Sequence, residues 1–189
     1  MFYTTKQIAE LCGVHITTAI RWIDQGELQA YRTPGGRRRV AANELQSFVA
    51  RLNIPVRGWP GRERPVVLVV DDDLMVMRAL VRKLKALQRY EVVAASSAYE
   101  ALLLVGAIRP DVVVLDLLMP TMDGFEVCAA IKRTHATRHV TIVAITGQFS
   151  DGMRQRALDL GALECLPKVG GLDELPRLID RAVARPTVW

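Results

Sequence analysis

The chain has 189 residues, half of them apolar, and a formal net charge of +5. That length and apolar share suit one ordinary domain or two small ones with packed cores, and exclude disorder throughout. The positive excess lies in the first third, since residues 1–53 carry 7 Lys/Arg against 4 Asp/Glu and residues 54–65 carry 3 against 1, while residues 66–189 balance at 15 and 15. Any polyanionic partner is therefore expected at the N-terminal part. Cys12, Cys128 and Cys165 stand far apart without CxxC spacing, which points to buried free thiols rather than a disulfide framework or a zinc site. No apolar run reaches membrane-spanning length, and the opening Met1-Phe2-Tyr3-Thr4-Thr5-Lys6 lacks the basic-then-apolar pattern of a secretory signal, so a cytoplasmic protein with no membrane partner is expected.

Thr4 and Gln7 fit a capping box that opens a short helix over Lys6–Cys12, with Ile8, Leu11 and Cys12 as its apolar stripe. Gly13-Val14 breaks it. A second helix starts near His15 or Ile16 and runs to Gln25 before the Gly26 stop, with Ile16, Ala19, Ile20 and Ile23 facing the core and Thr17, Thr18 and Arg21 facing outward. Leu28–Arg32 alternates like a strand, Thr33-Pro34-Gly35-Gly36 turns, and Arg37–Val40 returns, which predicts a hairpin with a basic tip. Asn43 caps a further helix over Glu44–Leu52, and its Leu45, Phe48, Val49 and Leu52 close a small core.

Residues Thr5–Leu28, followed by Tyr31-Arg32-Thr33-Pro34-Gly35-Gly36-Arg37-Arg38-Arg39-Val40, resemble the excisionase/MerR-type winged helix-turn-helix. The resemblance implies a recognition helix in the major groove of double-stranded DNA, with Thr17, Thr18 and Arg21 as its contacts. It also implies a wing against the backbone or minor groove, carried by Tyr31, Arg32, Arg37 and Arg38. Arg37 departs from the histidine of many relatives and preserves phosphate attraction. The long dimerising helix of MerR regulators does not follow. Instead residues 54–65 form a basic linker rich in Pro and Gly, in which Trp59 is expected to pack on a neighbouring domain.

From residue 66 strands and helices alternate. Val66–Val70 is a strand ending at Asp71-Asp72-Asp73, and Leu74–Leu87 is an amphipathic helix with Leu74, Met77, Leu80, Val81, Leu84 and Leu87 on one face. Glu91–Ala95 is the next strand, and Ser97 with Glu100 caps a helix to about Gly106. Val112–Leu115 is an apolar, largely β-branched run suited to a strand buried on both faces, and it stops at Asp116. A helix from Phe125 to about Arg133, a strand Val140–Ile145, a helix Phe149–Leu160, a strand near Leu163–Leu166 and a helix Leu172–Ala184 complete five βα units. The expected fold class is α/β, a doubly wound five-stranded parallel sheet of flavodoxin-like order, behind a smaller N-terminal winged helix-turn-helix domain.

Such a sheet collects Asp71, Asp72, Asp116, Thr146 and Lys168 at the carboxyl ends of its strands, where ligands bind. Crowded carboxylates repel one another unless a cation neutralises them, and hard oxygen ligands suit Mg²⁺. The separations of Asp72, Asp116, Thr146 and Lys168, with Met119-Pro120-Thr121-Met122-Asp123-Gly124 and Leu166-Pro167-Lys168, resemble the receiver domain of two-component response regulators over residues 66 to about 185. That resemblance implies Mg²⁺ on Asp71, Asp72, Asp116 and the Leu118 backbone carbonyl. It makes Asp116 the phosphoacceptor of a histidine kinase or phosphotransfer protein, with Thr146 and Lys168 reading the phosphorylated state. The chain departs from the pattern at Cys165, where an aromatic switch residue is usual, and at Val169, where proline is usual.

The expectation is a DNA-binding response regulator, a homodimer when active and not an enzyme, with domains at 1–53 and 66–189 joined by the linker 54–65. The alternative is a DNA-binding protein whose receiver is a phosphorylation-independent dimerisation or docking module. An aspartate-nucleophile phosphohydrolase is disfavoured, because such enzymes need an acid two residues after the nucleophile and Leu118 stands there.

Overall fold

The computed structural model describes residues 2–52, 54 and 64–184, so nearly all of the expected linker, with Trp59, lies outside the described residues. The described residues fall into two compact units.

The first unit comprises β1 (Phe2–Tyr3), α1 (Thr5–Leu11), α2 (Ile16–Asp24), β2 (Tyr31–Arg32), β3 (Arg38–Ala41) and α3 (Ala42–Arg51). The capping box forms as expected: Gln7 N donates to Thr4 Oγ1 at 3.1 Å and Thr4 N donates to Gln7 Oε1 at 2.9 Å. These bonds satisfy two donors that the start of α1 leaves unpaired. The two helices pack Ile8, Ala9, Leu11, Cys12 and Ala19 against Leu28, Val40, Leu45, Phe48 and Val49.

Several expectations for this unit are corrected. Ile16 is exposed, and it is Trp22 and Ile23, with Ala19, that turn α2 toward the core; Trp22 packs on Phe48 with ring centroids 5.0 Å apart and planes inclined by 59°. A nine-residue helix needs only a narrow stripe, and a tryptophan buries more area than the isoleucine it supplants. The strand expected over Leu28–Arg32 shrinks to Tyr31–Arg32, the two residues that pair with β3, while Leu28 N donates to Trp22 O at 3.1 Å and its side chain is buried in the core. Asn43 lies inside α3, which starts at Ala42 directly after β3, so it caps nothing. Leu52 is exposed. Phe2–Tyr3 adds a strand that pairs with β3, giving the antiparallel order β1-β3-β2.

The second unit comprises β4 (Val66–Val70), α4 (Leu74–Ala86), β5 (Glu91–Ala95), α5 (Ala98–Ile108), β6 (Val112–Asp116), α6 (Gly124–Arg133), β7 (Thr141–Thr146), α7 (Asp151–Asp159), β8 (Glu164–Pro167) and α8 (Leu175–Ala184). Its strands are all parallel, in the order β5-β4-β6-β7-β8. Every residue of β4, β6 and β7 is buried. This is the physical reason their sequences read as continuous apolar runs rather than alternating ones.

Alternation reappears in where side chains go. Leu68, Val70, Val113 and Leu115 join α5, α6 and α7 on one face, while Val67, Val69, Val112 and Val114 join α4 and α8 on the other. Fully burying each such side chain contributes about 1.5–3 kcal/mol. Leu74 is the exception on α4 and stays exposed at the helix start. The last helix begins at Leu175 rather than Leu172, and α7 begins at Asp151 behind its Ser150 cap. All three cysteines are buried free thiols. Among the described residues no helix is long and apolar enough to cross a membrane.

Candidate functional site

Register places the acids. β4 pairs with β6 so that Val70 stands opposite Leu115, and the next rung sets Asp71 beside Asp116 on the sheet face that carries α4 and α8. Neighbouring strands are about 4.8 Å apart, and carboxylate oxygens of Asp71, Asp72 and Asp116 all lie within 4.8 Å of one another. Asp71 is fully buried and Asp116 is 2% exposed, whereas Asp72 is exposed. Asp73 is used otherwise, because its Oδ1 accepts from Met75 N at 2.8 Å and from Val76 N at 3.3 Å as the cap of α4.

Lys168, just past β8, reaches into this cluster. Its Nζ donates to Asp116 Oδ2 at 2.9 Å and lies 2.8 Å from Asp71 Oδ2. The second contact is an ion pair by distance without hydrogen-bond direction, so Asp71 Oδ2 is buried with no hydrogen-bond donor. The other oxygens are held by backbone: Asp73 N donates to Asp71 Oδ1 at 3.0 Å and Leu118 N donates to Asp116 Oδ1 at 3.2 Å.

Burial pushes both Asp71 and Asp116 above the ordinary aspartate value, and contact with Lys168 opposes the rise without cancelling it. Burial also works against the Lys168 ammonium, but its contacts with Asp71 and Asp116 prevail and its pKa lies above the ordinary value. Two buried carboxylates and a third beside them share a single ammonium, which makes a donor set short of positive charge. It fits a divalent cation with hard oxygen preference.

Thr146 ends β7 fully buried; its Oγ1 accepts from Gln148 N at 3.2 Å and its carbonyl accepts from Lys168 N at 2.8 Å. Main-chain bonding thus ties the hydroxyl-bearing strand end to the lysine. Gly124 supplies a requirement that the sequence did not announce. A Cβ there would stand 2.1 Å from the Asp116 carbonyl oxygen and 2.6 Å from Leu117 Cα, so the start of α6 packs directly on the Asp116 backbone. Cys165 is buried in β8 among the side chains facing α5, α6 and α7, and Val169 is 87% exposed.

In the first unit, Thr17 and Arg21 lie exposed on α2 and Thr18 is half-buried. His15 caps α2, with Nδ1 2.9 Å from Thr17 Oγ1. Tyr31 and Arg32 are exposed on β2, and Arg37 is exposed at the turn. Arg38 differs from the expectation of a free wing cation: it is half-buried and grips Asp24 with two nitrogens. Phe2, absent from the expected contacts, stands exposed with its ring edge-on to Tyr31 at 5.7 Å.

A parallel five-stranded sheet with an acid cluster, a hydroxyl and a lysine at its carboxyl edge is the arrangement of a receiver domain, and comparison with known proteins agrees. The model for the response regulator receiver domain matches residues 67–180, and a helix-turn-helix domain model matches residues 2–53. The response regulator MprA of Mycolicibacterium vanbaalenii is 42% identical over 121 residues, covering 64% of this chain and 51% of that protein. MprA of Mycobacterium leprae is 40% identical over the same length and shares. The chain spans about half the length of these curated relatives.

Among solved structures, the signal receiver domain of a DNA binding response regulator protein (merR) from Colwellia psychrerythraea 34H is 33% identical with a TM-score of 0.60, covering 64% of this chain and 98% of that one. The non-phosphorylated HemR receiver domain from Leptospira biflexa is 28% identical with a TM-score of 0.59, covering 67% and 99%. The chain belongs to the response regulator receiver family and carries a helix-turn-helix domain ahead of its receiver.

Proposed function

We propose that this chain is a DNA-binding response regulator of a two-component phosphorelay, its DNA-binding domain within residues 1–53 and its receiver from residue 66. The observation that carries the reading is the Lys168 ammonium held between Asp71 and Asp116 at 2.8 and 2.9 Å, one positive charge set against an acid trio. A carboxylate oxygen of Asp116 attacks the phosphorus of a phosphohistidine on a kinase or phosphotransfer protein. The new O–P bond forms as the N–P bond breaks, and the electron pair returns to the imidazole nitrogen. Lys168 and the Thr146 hydroxyl bind the transferred oxygens, and main-chain bonding between the two transmits the change. Asp71, Asp72, Asp116 and the Leu118 carbonyl are the residues that would hold Mg²⁺, which when bound supplies charge neutralisation for the incoming phosphoryl group.

On the DNA side, Thr17, Thr18 and Arg21 face the major groove, and Tyr31, Arg32, Arg37 and Arg38 belong to the wing. One small helix-and-wing unit contacts few base pairs, so the active form is a homodimer reading two half-sites. Incubation with acetyl phosphate and Mg²⁺ adds the mass of one phosphoryl group to the chain and none to Asp116→Asn; the same gain in the variant would remove Asp116 from the account.

Cys165 favours a second reading. Small and buried where the family usually carries an aromatic, it has no ring to swing between inward and outward positions. On that reading the receiver docks or dimerises regardless of phosphate. DNA affinity measured with and without beryllofluoride separates the two, since only the first predicts a change.

A further inference from the structure

Asp24 is the last residue of α2, where the negative end of the helix dipole disfavours a carboxylate. The fold compensates from the hairpin. Arg38 Nη2 donates to Asp24 Oδ1 at 2.7 Å and Oδ2 at 2.8 Å, Arg38 Nε reaches Oδ1 at 3.2 Å, and Arg32 Nη2 lies 4.0 Å away. Arg32 and Arg38 stand directly opposite each other across β2 and β3, an arrangement of like charges that weakens a strand pair. One carboxylate therefore relieves the repulsion within the hairpin and fastens the hairpin to the end of the helix. Arg37 has no such duty: its guanidinium is exposed, and among the described residues it has no partner.

We propose that Asp24 is a positioning residue that sets DNA specificity, bracing the wing to the recognition helix through Arg38 and withholding that guanidinium from DNA phosphates. The phosphate contacts of the wing tip then fall to Arg37. This rests on the DNA-binding reading of α2 and the hairpin. It divides four wing candidates of similar appearance into those that touch DNA and one that orients the others. An unbraced wing would add charge to the interface without adding geometry, raising affinity for any duplex more than for the right one.

The test uses the full chain, a random-sequence duplex, and a duplex enriched by the wild-type protein from a random pool, each titrated across a range of salt. Each newly engaged phosphate steepens the dependence of log affinity on log salt by roughly 0.9. Asp24→Asn is expected to tighten binding to the random duplex, steepen its slope by about 1–2, and lower the preference for the enriched duplex. Arg37→Gln should flatten the wild-type slope by about 1, while Arg38→Gln leaves it near wild type; adding Arg38→Gln to Asp24→Asn removes the gain that Arg38 brought.

Circular dichroism melting establishes that the variants fold. Where Asp24→Asn does not, Arg38→Lys keeps the charge, loses the two-pronged grip and is expected to steepen the slope likewise. A wild-type slope and preference in the folded variant would overturn the brace. Absence of salt-dependent binding by the wild-type protein to either duplex would instead overturn the DNA-binding reading, and the brace with it.

Discussion

Lys168→Met removes the ammonium from between Asp71 and Asp116 while keeping an unbranched apolar stem. Lys168 is 16% exposed at its side chain and the two acids are 0% and 2% exposed, so little solvent is at hand to replace it. Two carboxylates with oxygens within 4.8 Å repel by about 3.5 kcal/mol at an effective dielectric of about 20. Removing one partner of a buried ion pair costs about 3–5 kcal/mol in measured cases, so both routes reach the same scale. Urea unfolding of the full chain without divalent cation should show that loss at neutral pH.

The loss should depend on pH with a defined sign. Burial already holds both aspartates above their ordinary value, and the variant loses the contact that opposed the rise. The folded state then binds protons more tightly than the unfolded one, so stability is lost as pH rises through the raised values and regained as it falls. The deficit against wild type is therefore full at neutral pH and shrinks on acidification. Equal stability of the two proteins, or a deficit unchanged into acid, would refute the picture of a lysine neutralising two ionised acids.

Gly124→Ala must displace backbone, because its Cβ would stand 2.1 Å from the Asp116 carbonyl oxygen. A stability loss of about 1–3 kcal/mol and impaired labelling by acetyl phosphate are expected, and wild-type melting together with wild-type labelling would contradict that packing. Glu164, held below the ordinary glutamate range chiefly by hydrogen bonding to Arg154 at 2.7 and 2.9 Å, contributes stability above its unfolded pKa that is lost as pH falls through the folded value. Glu164→Gln should cost within about 1 kcal/mol at neutral pH, since the pair is part-exposed, and chemical unfolding of the two proteins should converge in acid.

The sheet was legible because its signals are local and redundant. Val66–Val70 and Val112–Leu115 need only neighbouring residues to announce strands buried on both faces, and each stops at an acid. The convergence of Asp71, Asp116 and Lys168 followed from the order of strands, and the spacing of the motif anticipated it. What stayed illegible depends on distant partners. Phe2–Tyr3 is too short to show a period and becomes a strand only because β3 lies alongside.

Asn43 has the chemistry of a cap, but β3 runs straight into α3 and leaves no cap position for it. Ile16 carries the right spacing for a core face and loses the place to Trp22, whose ring meets Phe48. Arg38 reads as one of three equal arginines until Asp24 claims it, and Gly124 reads as a turn residue until the Asp116 backbone is seen against it.

The order β5-β4-β6-β7-β8 has a further consequence for how this domain opens to solvent. β4 and β6, which end at the clustered acids, are each paired on both sides, whereas among the described residues β8, which leads to Lys168, is paired on one side only. Amides of the two central strands should exchange with deuterium only through global unfolding, and those of β8 through smaller openings as well. Asp71, Asp72 and Asp116 thus sit on the part of the molecule that yields last, and Lys168 sits at a margin that yields sooner. On the proposed function, a phosphoryl group arriving at Asp116 would act against a fixed floor and a compliant wall.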